Sequence, residues 1–400
     1  MIIESKIFNP QAKVLLHFEK IEKFITTGNV DPILIEIDPS NACNHSCPFC
    51  ISGHIHLSKF KGTEFFNRAI MKEEVLMNLS KELVNMDIQA INWTGGGEPT
   101  MNPCLKNIIK YIRENSKIKM GMFSNGSMLK KFDMFDEITK SLTWIRISID
   151  AGNAESYNKL RVTNKNNDFK TVIENIKELI KYKKKIKSNL SIGAGFVVTK
   201  DNYKEIVEFA EIFKDLDINY CQFKPEIVQI ERSGSVDRKK EQISSNFWLN
   251  DVIEALDKAK EILGNKFECN SYKLDDLISN PENYGRNYKQ CLGSQLQPCI
   301  GADGNVYVCT NHRGHKNYAY GNILEKKFKD IWNDVNKKNR VMHQIEKIEK
   351  FSKCSQLCKP HESNKIVWTI KNNIDNKQYI KDIKEKAITL KKSIRHPEFI

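Results

Sequence analysis

Long hydrophobic runs are missing from this chain of 400 residues. Its longest apolar stretches, such as residues 194–198, are far shorter than the roughly 20 residues that a membrane-spanning helix requires. The first residues, 1–6, also lack the hydrophobic segment of a secretory signal. We therefore expect a soluble, cytoplasmic protein with no membrane partner, whose cysteines stay reduced.

A disulfide framework is disfavoured as well, because the cysteines number 11, which is odd. We find no internal repeat and no low-complexity linker. At this length the chain can bury a sizeable core, and we expect two domains or one large domain with an appended module.

The net charge of +13 brings nucleic acid into consideration as a partner. The lysines, however, are spread along the chain. Their densest run, residues 181–187, ends a helical pattern, where cations favour the helix C-terminus. A nucleic-acid partner is therefore not expected.

The most informative stretch places Cys43, Cys47 and Cys50 directly after an apolar run, at the spacing C-x3-C-x2-C. Three thiolates in one short loop can converge on a soft metal centre. Because a [4Fe-4S] cluster has four irons, three protein sulfurs leave one iron open for chemistry. A zinc site completed by a nearby histidine is the alternative that the spacing leaves open.

Strand and helix patterns alternate after this loop. The predicted strands are residues 33–37, 90–94, 119–123, 144–150, 190–198 and 220–224. Six strand–helix units in series predict an α/β fold with a parallel sheet and right-handed crossovers. Six units are too few for a closed eight-stranded barrel, so we expect a partial (β/α)6 TIM-like barrel whose active site collects at the strand C-termini.

Small and polar residues follow several of these strands. The second strand ends in Gly-Gly-Gly-Glu-Pro at residues 95–99, and the third and fourth end near Asn125 and Asp150. Glycines at a strand end let backbone N–H groups approach a ligand closely, so residues 95–97 predict a small binding concavity.

Together, the cysteine spacing, the glycine-rich turn and the six units resemble the radical S-adenosylmethionine (radical SAM) superfamily over about residues 33–226. The resemblance implies that Cys43, Cys47 and Cys50 hold a [4Fe-4S] cluster whose open iron binds the amino and carboxylate groups of SAM. It also implies a reductase partner such as flavodoxin or ferredoxin. One electron would then cleave SAM to methionine and a 5′-deoxyadenosyl radical.

The same resemblance implies a set of SAM-binding residues: Phe49, Gly95, Gly96, Gly97, Glu98, Ser124, Asn125, Ser148, Asp150 and Arg161. In the family, the glycine-rich motif meets the SAM amino group, and strand-end polar residues meet the ribose or carboxylate. Arg161 resembles the arginine that often pairs with the SAM carboxylate, a role that suits a planar double donor. For Asn125 and Ser148, an ordinary strand-end cap is the alternative.

A second group of cysteines lies in the last third of the chain. A turn at residues 302–305 precedes a predicted strand at 306–308, and this hairpin would bring Cys291 and Cys309 together. The region resembles the SPASM/Twitch extension, but residues 345–353 lack the C-x2-C pair of the fuller SPASM pattern. The resemblance therefore implies one auxiliary [4Fe-4S] cluster on Cys291, Cys309, Cys354 and Cys358, with Cys299 an alternative ligand. A zinc site on the same thiolates is also left open.

These elements define the expected domains. Residues 1–32 form an N-terminal helical lid or packing segment, 33–235 the partial barrel and 236–290 a helical bridge. Residues 291–360 form the iron–sulfur module, and 361–400 a basic C-terminal helix.

The expected reaction is hydrogen abstraction from a small polar substrate, such as a carbohydrate, aminocyclitol or nucleoside, leading to dehydrogenation or epimerisation. Only 32 residues precede the first strand, too few for the peptide-recruiting module of many relatives; a peptide substrate is the alternative. Lys224 and Glu226 are candidate proton-transfer groups. Cys221 is a candidate hydrogen-atom donor, with a packed core thiol as the alternative. A non-catalytic metal-binding scaffold is the hypothesis from another class.

Overall fold

The computed structural model describes residues 10–163, 168–226, 249–264, 268–270, 286–354 and 358–400. Its strands are β1 (Leu34–Ile37), β2 (Ala90–Trp93), β3 (Lys119–Ser124), β4 (Trp144–Ser148), β5 (Ser191–Val198), β6 (Tyr220–Pro225), β7 (Glu268–Asn270), β8 (Cys299–Ile300), β9 (Asn305–Tyr307) and β10 (Ala319–Asn322). They form one sheet in the order β10-β9-β8-β1-β2-β3-β4-β5-β6-β7. The edges of the described sheet are β10 and β7, so the barrel is open.

The helices of the same residues are α1 (Pro10–Leu15), α2 (Phe18–Thr27), α3 (Gly53–His56), α4 (Glu73–Leu83), α5 (Leu105–Asn115), α6 (Phe135–Ser141), α7 (Ala154–Arg161), α8 (Asp168–Lys185), α9 (Ile206–Phe213), α10 (Leu249–Leu263), α11 (Phe328–Asn333), α12 (Val335–His343), α13 (His361–Asn372) and α14 (Lys377–Lys391). No helix in the described ranges is long and apolar enough to cross a bilayer.

The predicted α/β partial barrel is confirmed. Strands β1 to β6 pair in parallel and in chain order, with helices between them. Strands β1 and β2 are buried along their whole length, as expected for a parallel sheet covered on both faces. Helix α5 places Leu105, Ile108, Ile109 and Ile112 on its buried face, so an apolar stripe attaches it to the sheet.

The sheet extends further than six strands on both sides. Strand β7 pairs in parallel with β6, so the segment predicted as a helical bridge also contains a strand. The physical reason is that β6 would otherwise present an unpaired edge. The predicted domain boundary at residues 235 and 236 lies outside the described residues.

The C-terminal module predicted for residues 291–360 is joined to the barrel through the same sheet. Its strand β8 pairs in parallel with β1, and β9 and β10 follow in antiparallel order. The predicted hairpin is present, although β9 begins at Asn305, inside the stretch predicted as a turn. Gly304, with φ of +83°, adopts the left-handed conformation that the turn requires.

The N-terminal helices lie at the end of the barrel opposite the cysteine loop. Phe18 and Ile21 of α2 pack in one cluster with Leu34 and Trp144, the first residues of β1 and β4. The cysteine loop follows the other end of β1. The segment therefore packs beneath the barrel and, in the described residues, is not a lid over that loop.

The C-terminal tail differs from its prediction as one helix, because it contains two helices, α13 and α14. An asparagine-rich stretch separates them, and the side chain of Asn376 caps α14 by accepting a hydrogen bond from the N–H of Tyr379. Val367 and Ile370 of α13 pack with the N-terminal helices.

Candidate active site and cluster-binding cysteines

The three cysteines of the first loop form a mutually repelling group, in which Cys47 is buried and Cys43 and Cys50 are half-buried. Burial raises the pKa of the Cys43 thiol, and the charge of Cys47 raises it further. Burial and Cys47 likewise raise the pKa of Cys50 to about 12. Thiols whose pKa is raised in this way need a positive centre to ionise, and an iron–sulfur cluster supplies one. The residues present therefore fit a cluster.

The glycine-rich turn is packed tightly against this loop. The N–H of Gly97 donates to Ser40 O at 3.0 Å, and the N–H of Glu98 donates to Ala42 O at 2.9 Å. A Cβ on Gly97 would overlap Ala42 O, and one on Gly96 would overlap the side chain of Asn41. The small size of Gly96 and Gly97 thus serves close contact between two loops, a use that the sequence did not reveal.

Glu98 is fully occupied by protein donors. Its carboxylate accepts from Thr100 Oγ1 at 2.6 Å, from Ser124 Oγ at 2.7 Å and from the N–H of Asn125 at 2.7 Å. Burial raises the pKa of Glu98, whereas these hydrogen bonds lower it. Predicted SAM contacts from two strand ends are therefore brought together, with Glu98 tying the second strand end to the third.

Arg161 lies between the fourth strand end and the cysteine loop. Its Nη2 is 2.5 Å from Asp150 Oδ2, and its Nη1 is 3.5 Å from Cys47 Sγ. Its carbonyl oxygen accepts from the N–H of Ser46 at 3.0 Å. Val162, with φ of +46°, ends α7 directly after it. Arg161 is thus held beside a cluster ligand, with Asp150 as its carboxylate partner.

Three other residues are predicted to bind SAM, namely Phe49, Ser148 and Asn125. Phe49 is half-buried and packs against the main core. Ser148 is the half-buried last residue of β4. The Nδ2 of Asn125 donates to Asn44 Oδ1 at 2.9 Å, which joins the third strand end to the cysteine loop.

The four predicted auxiliary ligands form a second group. After burial, the charges of Cys291 and Cys309 are the next largest influences that raise the pKa of Cys354. The same two charges and that of Cys354 raise the pKa of Cys358, again after burial. The thiols are therefore close enough to repel one another, although they come from well-separated parts of the chain.

Polar side chains border this second group. Asn364 Nδ2 donates to Cys291 Sγ at 3.3 Å, and His312 Nε2 lies 3.6 Å from Cys354 Sγ. Among the described residues, no three Cys, His, Asp or Glu side chains converge as a single metal ion requires.

Cys299 has different partners from the four grouped thiols. Its Sγ is 3.6 Å from Arg313 Nη2 and 4.0 Å from Asp38 Oδ2. Burial is the main cause that raises the pKa of this thiol, and the charge of Cys309 is the smallest of its named causes. Cys299 thus contacts Arg313 and Asp38, and its place as the alternative ligand stays a prediction.

A buried ion pair that sequence reasoning missed joins the two modules. Arg313 Nη2 is 3.0 Å from Asp38 Oδ1, and Arg313 Nη1 is 2.9 Å from Ser52 Oγ. The carbonyl oxygen of Arg313 is 2.9 Å from His54 Nε2. Asp38 immediately follows β1 and Arg313 follows Cys309 by four residues, so their positions beside the two cysteine groups were the only available signal.

The concave face of the barrel carries charged and amide side chains. Glu36 contacts Lys359, and Asn92 Nδ2 donates to Glu36 Oε1 at 3.3 Å. Further along the sheet, the Nη1 of Arg146 contacts Gln222 Oε1. Burial lowers the pKa of Lys359 to about 7.

The three catalytic candidates near β6 are placed differently. Cys221 is fully buried in the core between sheet and helices, so it points away from the concave face that Gln222 shares. It is therefore a packed core thiol and not a hydrogen-atom donor. Lys224 lies with its Nζ 6.0 Å from the ring of Phe123, and Glu226 follows β6 at the strand end.

Comparisons with known proteins agree with this architecture. Residues 37–213 match the family model of the radical SAM superfamily, and residues 291–359 match that of SPASM, an iron–sulfur cluster-binding domain. The GTPase Obg of Brachyspira hyodysenteriae is 27% identical over 246 residues, which are 60% of this chain and 32% of that protein. A probable GTP 3′,8-cyclase of Saccharolobus islandicus is 28% identical over 185 residues, which are 46% of this chain and 54% of that protein.

The chain thus spans between 32% and 54% of the length of these two curated relatives. Among solved structures, Streptococcus suis SuiB bound to S-adenosylmethionine has a TM-score of 0.58 at 16% identity, covering 82% of this chain and 71% of that one. At this identity the likeness shows a shared fold.

Proposed function

Because the chain belongs to the radical SAM superfamily and carries a SPASM iron–sulfur domain, we propose that it abstracts a hydrogen atom from a small polar substrate held inside the barrel. When bound, SAM and its cluster supply a 5′-deoxyadenosyl radical, and the auxiliary cluster supplies an electron acceptor. The first cluster would be held by Cys43, Cys47 and Cys50. The second would be held by Cys291, Cys309, Cys354 and Cys358.

The proposed SAM pocket lies at the strand ends beside the cysteine loop. Residues 95–98, 124–125 and 148–150 surround it from three neighbouring strands, and Arg161 borders it next to Cys47. The Asp150–Arg161 pair would fix the orientation of the guanidinium. Glu98 would act indirectly, by holding the second and third strand ends together.

The concave face of the barrel carries the proposal for the substrate class. Among the described residues, Asn92 Oδ1 and Arg146 Nε are buried there without a hydrogen-bond partner, and an apolar substrate would leave both unsatisfied. A small polar substrate can satisfy such groups. The name of the cyclase relative, which refers to the nucleotide GTP, supports this class.

Glu226 is the proposed proton-transfer group. It follows β6 at the strand end, so it lies near the proposed substrate position. Removal of a proton from the substrate radical, together with one electron, would complete a dehydrogenation. Epimerisation would instead need a hydrogen-atom donor on the other face of the substrate, a role that the packed core position of Cys221 does not suit. Dehydrogenation is therefore the outcome that we propose.

Reductive cleavage of SAM tests the proposed class of reaction. The protein would be reconstituted anaerobically with iron and sulfide, then reduced with dithionite in the presence of SAM. We expect 5′-deoxyadenosine and methionine in equal amounts. A cluster-replete protein that yields neither would refute the radical SAM assignment and favour a metal-binding scaffold.

A peptide-modifying enzyme is the second candidate. The observation that favours it is that SuiB, which shares the fold, has been solved bound to its precursor peptide SuiA. Neighbouring genes discriminate between the candidates. A gene for a short peptide beside this one would favour peptide modification, whereas genes for sugar–nucleotide or amino-transfer enzymes would favour a small molecule.

A further inference from the structure

Side chains from strands β3, β4 and β6 meet on the concave face of the barrel, although β5 lies between β4 and β6. Arg146 of β4 contacts Gln222 of β6 across β5. The guanidinium carbon of Arg146 is 4.3 Å from the ring centroid of Phe123 on β3. Lys224 Nζ, on β6, is 6.0 Å from the same ring. Such contacts require that these side chains extend from the inner, concave surface of the sheet.

The intervening strand leaves room for the guanidinium because it carries glycine there. A Cβ on Gly195 of β5 would lie 3.1 Å from Arg146 Nε, closer than most real Cβ contacts. A Cβ on Gly193 would overlap the ring of Tyr220. Arg146 therefore lies across a part of β5 that has no side chains, and Phe123 covers its plane by a cation–π contact.

Among the described residues, no carboxylate forms an ion pair with Arg146. Its Nε is buried and makes no hydrogen bond there, and its contact with Gln222 is to a neutral amide. Asp150 is the described carboxylate whose charge influences it, but Asp150 is engaged by Arg161 at 2.5 Å and by the N–H of Val197 at 2.7 Å. The Arg146 side chain is half-buried, and a guanidinium nitrogen that is buried without a hydrogen-bond partner is unfavourable in free energy.

We infer that Arg146, Gln222 and Lys224 bind an anionic group of the substrate, a carboxylate or a phosphate, inside the barrel; the inference rests on the function proposed above. The fork of a guanidinium matches two oxygens of such an anion, and Lys224 adds a second positive charge. Gln222 positions the guanidinium through its amide oxygen.

The position of Arg146 separates this anion site from the proposed SAM pocket. Arg146 lies two residues before Ser148, the last residue of β4, so it is about 7 Å below the strand end. The anion would therefore anchor one end of the substrate in the barrel, with the reacting C–H bond nearer the strand ends. The inferred substrate is a small, negatively charged molecule.

Two anions serve as probes because the substrate is unidentified. Inorganic phosphate and malonate would be titrated into the reconstituted holoenzyme at constant ionic strength, with chloride as the comparison ion, and binding measured by calorimetry. SAM affinity would be measured on the same samples. The variants are Arg146→Gln, Arg146→Lys and Lys224→Gln. Arg340→Gln, which changes an exposed arginine on α12, is the matched control.

We expect saturable binding of at least one probe at one site per chain. Arg146→Gln and Lys224→Gln should weaken that binding at least tenfold, Arg146→Lys should restore part of it, and Arg340→Gln should match the wild type. SAM affinity should be the same in all of them. Iron content and circular dichroism would show whether each variant folds; if Arg146→Gln does not, Arg146→Lys and Lys224→Gln still test the site.

Two results would overturn the inference. One is equal probe binding by the wild type, Arg146→Gln and Lys224→Gln, which would mean adventitious binding only. The other is a loss of SAM affinity in Arg146→Gln, which would mean that Arg146 binds the SAM carboxylate. Failure of the proposed function is distinguishable, because it would abolish 5′-deoxyadenosine formation by the wild type without affecting the anion titration.

Discussion

The two cysteine groups both bring thiols together, but they draw them from the chain in different ways. The first takes three cysteines from a single loop after β1, with sequence neighbours supplying the whole set. The second collects four cysteines from positions between 291 and 358, so the fold must assemble it. The difference teaches that a local group can be recognised in a sequence by spacing, whereas a dispersed group depends on the surrounding packing.

Their surroundings differ in a way that suits different roles. Arg161 and the strand-end loops border the first group, which has three thiolates and so leaves one iron open to a ligand. The second group has four thiolates, enough to saturate a cluster, and is bordered by Asn364 and His312. We propose that the first group starts the chemistry and that the second transfers electrons or supports the fold.

The largest expected effect comes from removing the first group. Replacement of Cys43, Cys47 and Cys50 together by Ala should abolish 5′-deoxyadenosine formation, because no ligands would remain for the SAM-binding cluster. Iron should fall from about eight to about four per chain, as expected for loss of one of two four-iron clusters. Iron analysis and chromatography of the products would measure both.

Cys104→Ser is a suitable control for this triple variant. Cys104 is a buried barrel thiol that donates to Asn102 Oδ1 at 2.8 Å, a hydrogen bond that serine can keep. It should retain iron and SAM cleavage. Cleavage of SAM by the triple variant would disprove the assignment of the ligands.

The second largest effect should come from the auxiliary group. Cys358→Ala should lose about four irons per chain and lower the thermal stability, while SAM cleavage at the first group continues. Cys299→Ser should keep the full iron content, because its thiol contacts Arg313 and Asp38. If Cys299→Ser lost about four irons and Cys358→Ala kept them, Cys299 would be the fourth ligand in place of Cys358. Zinc in the purified protein, with about four irons, would contradict a second cluster.

A smaller effect is expected from the ion pair beside the first group. Arg161→Gln leaves Asp150 buried without its charged partner, which should lower the free energy of unfolding by about 3–5 kcal/mol. SAM affinity should also fall, because the guanidinium beside Cys47 is lost. The double variant Arg161→Gln with Asp150→Asn should recover much of the stability but not the affinity. If it recovers both, Arg161 has a structural role only.

The smallest expected effect concerns pH and the ion pair between the two groups. Burial outweighs the Arg313 charge and raises the pKa of Asp38 to about 6. Because the folded state then binds the proton more tightly than the unfolded state does, this group should stabilise the fold as pH falls through 6. Between pH 8 and pH 5 the gain should be about 1 kcal/mol relative to Asp38→Asn.

Denaturant titrations of the wild type and Asp38→Asn at both pH values would measure this difference. Glu254→Gln removes an exposed carboxylate on α10 and controls for general charge effects. An equal pH response of the wild type and Asp38→Asn would show that Asp38 does not titrate in this range.

Several expectations depended on local pattern, and the structure agrees with them for that reason. The strands around Ile91, Ile145 and Phe196 are buried runs bounded by polar residues, so their period and length indicate their type. Other features escaped prediction because they depend on neighbours. The edge of β6 induces the strand β7, and the C-terminal tail is interrupted at Asn376, where a side-chain cap begins a new helix.

The sequence alone determined the cysteine loop, the order of the strand–helix units and the existence of a second cysteine group. These features follow from spacing and periodicity, which are properties of neighbouring residues. The tertiary structure decided that β8 joins β1, that Arg313 reaches Asp38, and that Arg146 lies on the concave face of the barrel. Such contacts join distant residues, and their geometry is fixed only when the sheet curves and the two modules pack together.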